Sequence, residues 1–397
     1  MFADPTVPGA GLSAAAISSL FILWSACSFL FEIPAGILAD RIPRRLLVVT
    51  GPVCSGAGFA LWTWWPSYGS FAAGFVLWAV GTALRSGALQ ALLYDTLAAR
   101  GQAMQYAALA GRVRAMGATG VLVGTATAIP LTAWGGYPAA GAASVIACLF
   151  CAAASAMLPE DAPPRRVGNR EDAAHRDRDG GTRPDSDAAG WRGVVAEAFA
   201  HLRGDRLLRR VVVLAIALTW VSALDEYLPL LADTMWSGTA WWGSAATGVS
   251  MLMVVVAVGD IAGGHAASRT DVTDLRPRRL VPWLLAGAAA LGLGAISGHP
   301  AGIILVAFAF GVFSWSLVMA DAIMQRRLPS GARATITSVV GVGEEMVAIG
   351  AFGAWAVGST WLAPTTSFAV AAVPYAVMAL VLMVSSSGAT TARASGR

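Results

Sequence analysis

The chain has 397 residues, 56% of them hydrophobic and only 13% charged. A soluble domain of this length carries about a quarter charged residues, so a water-soluble globule is excluded. The net charge is +4 and all 27 basic residues are arginine; they are spread between apolar blocks, which argues against nucleic-acid binding and for membrane topology.

In chain order, apolar blocks of the length that crosses ~30 Å of hydrocarbon predict eleven spans. They are 14–39, 46–66, 70–92, 108–132, 138–158, 210–231, 242–265, 280–298, 302–325, 335–358 and 367–386. Arginines fall in alternate connections: Arg41, Arg44 and Arg45 after the first span, ten between 159 and 209, Arg269 to Arg279 after the seventh, Arg326 to Arg333 after the ninth. The intervening connections carry none. This predicts a multi-pass protein of the inner (plasma) membrane, with its N-terminus outside and its C-terminus in the cytoplasm. Trp62, Trp64, Trp65, Trp134, Trp236, Trp241, Trp242 and Trp361 cluster at the predicted outer ends as an interfacial belt.

The predicted organisation is an N-terminal half (1–158, five spans), a cytoplasmic central loop (159–209), a C-terminal half (210–388, six spans) and a cytoplasmic tail (389–397). Within the loop, Trp191, Val194, Val195, Ala198, Phe199 and Leu202 recur on one helical face, predicting an amphipathic helix near 190–204. Ionisable residues occur inside most spans but not in the second, fifth, eighth or eleventh. A charge at the bilayer centre costs at least ~3 kcal/mol and must face protein or water. Those four spans are therefore expected to face lipid, as the last members of four triplets. Eleven spans fit four triplets if a further helix precedes Met1.

No cofactor or metal is expected. Cys27, Cys54, Cys148 and Cys151 lie in apolar blocks and read as small helix residues. His175, His201, His265 and His299 lie in or near loops. No nucleotide loop or hydrolytic triad is present, so an enzyme is not expected.

Gly36-Ile37-Leu38-Ala39-Asp40-Arg41-Ile42-Pro43-Arg44-Arg45 resembles the signature loop of the major facilitator superfamily, with Pro43 in place of the usual glycine. The resemblance implies an all-α membrane bundle in two pseudo-symmetric halves, eleven spans being seen of an expected twelve. It also implies a conformational-switch cluster formed by Gly36, Asp40, Arg41, Arg44 and Arg45. Gly259-Asp260, Gly263-Gly264 and Arg269 form a faded copy in the second half. Gly111, Gly120 and Gly124 partly match the glycine-rich helix of the family's antiporters, but the proline and paired glycine that should follow are absent.

In that family the first helix of each triplet lines a cavity; here these are the third, sixth and ninth spans, which contain Trp78, Trp220 and Trp315. Arg85, Asp225, Glu226, Glu344 and Glu345 are the candidates for substrate binding or proton coupling. Arg85 suits an anionic group or a coupling carboxylate. Asp225 and Glu226 suit a gate or cation site. Glu344 and Glu345 point ~100° apart on their helix, so at most one faces a cavity squarely. The expected function is a monomeric, proton-coupled exporter of small lipophilic compounds, resembling the family's multidrug and metabolite efflux members. Uptake by symport or uniport, and a non-transporting sensor or remnant, stand as the alternatives.

Overall fold

The computed structural model describes residues 1–39, 42–102, 106–159, 203–237, 245–271, 277–327 and 333–394. The expected amphipathic helix near 190–204 lies almost wholly outside them. The first half contains α1 (Ala14–Ala39), α2 (Arg44–Trp64), α3 (Tyr68–Ala99) and α4 (Tyr106–Ala156). The second contains α5 (Arg206–Leu218), α6 (Trp220–Asp225), α7 (Leu228–Ser237), α8 (Ala245–Arg269), α9 (Val281–Ile296), α10 (Ile303–Arg327), α11 (Arg333–Gly358), α12 (Pro364–Ala371) and α13 (Val373–Ala394).

Among the described residues, nine helical stretches are long and apolar enough to cross a membrane. The difference from eleven has two sources. Two expected spans share the stretch Thr119–Ala156, and the expected span 70–92 is not among the nine. The shared stretch turns at Gly135 and Gly136, where Gly136 takes a φ of 61° that side-chain-bearing residues rarely adopt.

Two other breaks have a cause in the sequence. Pro229 has no N–H to offer the carbonyl of Asp225 four residues back, so the helix is interrupted between α6 and α7. Pro374 interrupts α12 and α13 in the same way, at Ala372. The start of α5 is well capped: Asp205 Oδ1 accepts from the N–H groups of Leu207 (2.8 Å) and Leu208 (3.1 Å).

Glycine seams hold each half together. A Cβ on Gly51 or Gly81 would strike the other's carbonyl, so α2 and α3 lie backbone to backbone there. Gly259 and Gly263 do the same against Ala307 and Gly311, joining α8 to α10. The faded motif copy is thus the interior of α8, and its glycines serve packing. Apolar side chains of α2 (Leu46, Val53), the second arm of α4 (Ile146, Leu149, Phe150), α9 (Leu293, Ile296) and α13 (Val373, Val377, Leu380) point outward, as expected of the charge-free spans. On the first arm of α4, Met116 is 74% exposed, and Gly117, Gly120 and Gly124 look onto open space.

The two halves meet through α1 against α11 and α4 against α8. Toward Met1 they share one buried core. In it Phe21 touches Tyr227 (5.5 Å) and Phe352 (5.4 Å), and Tyr227 stacks on Trp355 (4.2 Å). Ser18 Oγ and the Tyr227 hydroxyl are 2.6 Å apart across the same junction. Phe2 packs on Trp62, Phe71 and Phe75, closing this end of the first half. At the arginine-bearing end the buried clusters are separate. Leu47, Val48, Ala88 and Leu92 belong to the first half. Leu208, Val211, Val212, Ile323, Met324, Ile336 and Val340 belong to the second.

Candidate functional site: a central cavity between the halves

A cavity of about 510 Å³ lies between the halves, within the range that holds small organic ligands. α1 contributes Trp24, Ser25 and Ser28, and the first arm of α4 contributes Val121 and Thr125. From the second half come Ser222, Asp225 and Glu226, then Met253 and Asp260 of α8, Phe310 and Ser314 of α10, and Glu345 and Phe352 of α11. Phe352 also belongs to the seal toward Met1, so the seal forms that end of the cavity.

Each acidic residue reaches the cavity for a local reason. Asp225 and Glu226 sit at the break made by Pro229, where the chain leaves α6 before entering α7. Asp260 follows Gly259, whose contact with Ala307 draws α8 against α10; the Asp260 carboxylate accepts a hydrogen bond from Ser314 of α10. Glu345 accepts from Ser25 of α1, so this bond spans the two halves. Trp24 forms an aromatic wall backed by Trp78 of α3, stacked at 5.1 Å with 18° between the rings.

Of the residues expected at a site, Asp225, Glu226 and Glu345 line this cavity together. Glu344 does not; it lies where the charges of Asp321 and Glu345 reach it. Arg85 does not either. It is exposed, its Cβ lies beside Gly51 of α2, and its charge is felt at Cys148 on the second arm of α4. None of the described side chains of α3 lines the cavity; α3 packs on α2 along the Gly51–Gly81 seam, and its Trp78 backs Trp24 of α1. Trp315 donates to Thr270 Oγ1 (3.0 Å) and faces a different groove, between α8, α9 and α10. In the switch cluster, Asp40 and Arg41 lie outside the described residues, Gly36 is in α1, and Arg44 and Arg45 open α2.

The sequence reading missed Trp24, Ser25 and Ser28 as lining residues. Their signal was present: with Phe21 they recur at i, i+3, i+4 and i+7, one face of α1. The sequence marks Asp260 as an ionisable residue inside the seventh span and as part of a motif copy, without pointing to a cavity.

Helices packed around one central cavity form an arrangement that can expose the same site to either side of a membrane in turn. The sequence profile of the Major Facilitator Superfamily matches residues 5–346. The chain belongs to the major facilitator superfamily. A point mutant of the nucleoside transporter NupG superposes with a TM-score of 0.68 at 10% identity, covering 94% of this chain and 91% of that one. NupG without the mutation gives 0.66 at 12% identity over the same shares. A POT family transporter in complex with a thioalcohol-conjugated peptide gives 0.62 at 12% identity, covering 94% and 88%. At these identities the likeness shows the fold. No curated protein matches the sequence significantly. As a superfamily member, the chain is a multi-pass membrane carrier of small molecules and not an enzyme.

Proposed function

We propose that this carrier imports a small, hydrogen-bonding solute by alternating access, as a proton symporter or a uniporter. The observation that carries the reading is the lining of the central cavity. Hydroxyls from Ser25, Ser28, Thr125, Ser222 and Ser314 and four carboxylates are set among apolar and aromatic side chains such as Trp24, Phe310 and Phe352, a wall that suits a solute carrying polar groups on an apolar body. The incomplete antiporter signature on α4 points the same way. So do the neighbours in fold, which are named as nucleoside and POT family transporters.

In this reading eleven spans cross the membrane, the arginine-bearing ends face the cytoplasm, and the closed Met1 end faces outward. The conformation described is then the cytoplasm-facing one. Glu345 is the coupling carboxylate, because its bond to Ser25 joins the halves. Losing or gaining a proton there changes the strength of an inter-half contact. Gly36, Asp40, Arg41, Arg44 and Arg45 form the switch cluster at the cytoplasmic end, and the working unit is a monomer.

The test is mass spectrometry of cells with and without the protein, incubated in a defined mixture of small metabolites. Import predicts that at least one solute accumulates inside expressing cells. Glu345→Gln should abolish proton-driven accumulation while downhill exchange persists. Depletion of solutes from expressing cells, with resistance to lipophilic toxins, would sink the import reading in favour of export.

A further inference from the structure

We infer that the solute carried in the central cavity is an organic cation: a protonated amine, or a comparable cationic group, on an aromatic or aliphatic body. This rests on the reading of that cavity as the transport site and adds the charge of its occupant.

The lining holds Asp225, Glu226, Asp260 and Glu345, and no arginine or histidine among the described residues; the chain contains no lysine. Arg85, the basic residue nearest mid-span in the sequence, is exposed and outside that lining, with its Cβ beside Gly51 of α2. The partners seen for two of the acids are neutral hydroxyls, Ser25 for Glu345 and Ser314 for Asp260. A hydroxyl satisfies one lone pair but balances no charge, so acceptor capacity is left over on each carboxylate. In a cavity walled by protein and lipid, unbalanced negative charge strongly favours a positive guest.

A bare metal ion does not fit this arrangement. Hard cations need several oxygens converging at about 2.0–2.6 Å. The four carboxylates come from three elements around a 510 Å³ space, Asp225 and Glu226 at the α6–α7 break, Asp260 on α8 and Glu345 on α11, and no group of three acidic, cysteine or histidine residues among the described ones is placed to hold a metal. The volume calls for an organic body, and the walls supply aromatic faces for it. Trp24, stiffened by its stack on Trp78, and the rings of Phe310 and Phe352 border the same space. Indole and phenyl faces attract ammonium groups as well as apolar surface.

The experiment uses the full chain, purified in detergent and in proteoliposomes, with three probes of matched size: 2-phenylethylamine (cationic), 2-phenylethanol (neutral) and 3-phenylpropionate (anionic). Calorimetry reads binding, and exchange of labelled probe across the vesicle reads transport. The expected result is that the amine binds at least tenfold more tightly than the alcohol, with no measurable binding of the anion. Asp260→Asn and Glu345→Gln should each reduce amine affinity roughly tenfold to a hundredfold, the value of one charge-assisted contact, and reduce alcohol affinity by less. A melting temperature in detergent close to that of the unsubstituted chain shows that each variant is folded. Equal affinity for amine and alcohol, preference for the anion, or no amine binding at millimolar concentration overturns the proposal. The transport reading fails separately. Selective amine binding without exchange supports the cationic site and refutes the carrier reading. Exchange of the alcohol with no preference for the amine supports the carrier and refutes the charge.

Discussion

The two ends of the junction between the halves are built in opposite ways. Toward Met1, side chains from α1, α3, α7 and α11 merge into one aromatic core, tightened by the Ser18–Tyr227 bond. At the arginine-bearing end each half keeps a core of its own, and an ion pair of Arg327 with Asp205 at 3.6 Å lies within the second half. Apolar burial is therefore spent across the junction at one end and inside the halves at the other. A structure built this way is closed on one side by contacts that must be broken, and open on the other without losing the integrity of either half.

The largest test of that contrast is Tyr227→Ala. It removes a fully buried ring stacked on Trp355 together with its hydroxyl bond, and should cost about 3–5 kcal/mol. The expected readouts are a clearly lowered melting temperature in detergent and a cysteine placed at Ser28 becoming reactive to impermeant thiol reagent added on the Met1 side. If that cysteine stays protected, the aromatic core is not the seal. Asp205→Ala acts at the other end. Losing the α5 cap should cost about 1 kcal/mol, with no change in which side the Ser28 cysteine is reached from. Tyr227→Phe keeps the ring and loses the hydroxyl; about 1 kcal/mol is expected, seen as a partial rise in Met1-side labelling. The smallest effect belongs to Asp205→Asn, which keeps a capping oxygen and weakens only the pair with Arg327. Both side chains are more than 40% exposed, so less than about 0.5 kcal/mol is expected. A larger loss would mean that the open end carries tension the cores do not show.

Much of the fold was legible in the sequence because hydrocarbon imposes a length on every apolar block. The triplet pattern expects α2, the second arm of α4, α9 and α13 to face outward; each carries exposed apolar side chains, but so do α8, α10 and α11 (Val258, Ile304, Val357), so exposure does not single them out. Composition could not reveal rotation about the helix axis, and the site depends on rotation. Glu344 and Glu345 are neighbours in sequence, yet only Glu345 meets the cavity, because Ser25 lies across from it. That partner is 320 positions away and leaves no local trace. Arg85 was the reverse case. A mid-span arginine must face protein or water, but sequence does not tell the cavity from the rest of the helix surface: Arg85 is exposed and is not in the cavity lining. Asp225 and Glu226 stand out by their charge and by their place on the sixth span; Pro229, which makes the break that presents them, is equally visible and carries the more local physical reason.

The glycine seams have a mechanical consequence. Where Gly51 meets Gly81 and Gly263 meets Gly311, backbone rests on backbone, with no flexible side chain between to take up a displacement. Such contacts make each half stiff in bending, so that it behaves as a lever. A small rotation at the Met1 end would then reach the opposite end undiminished.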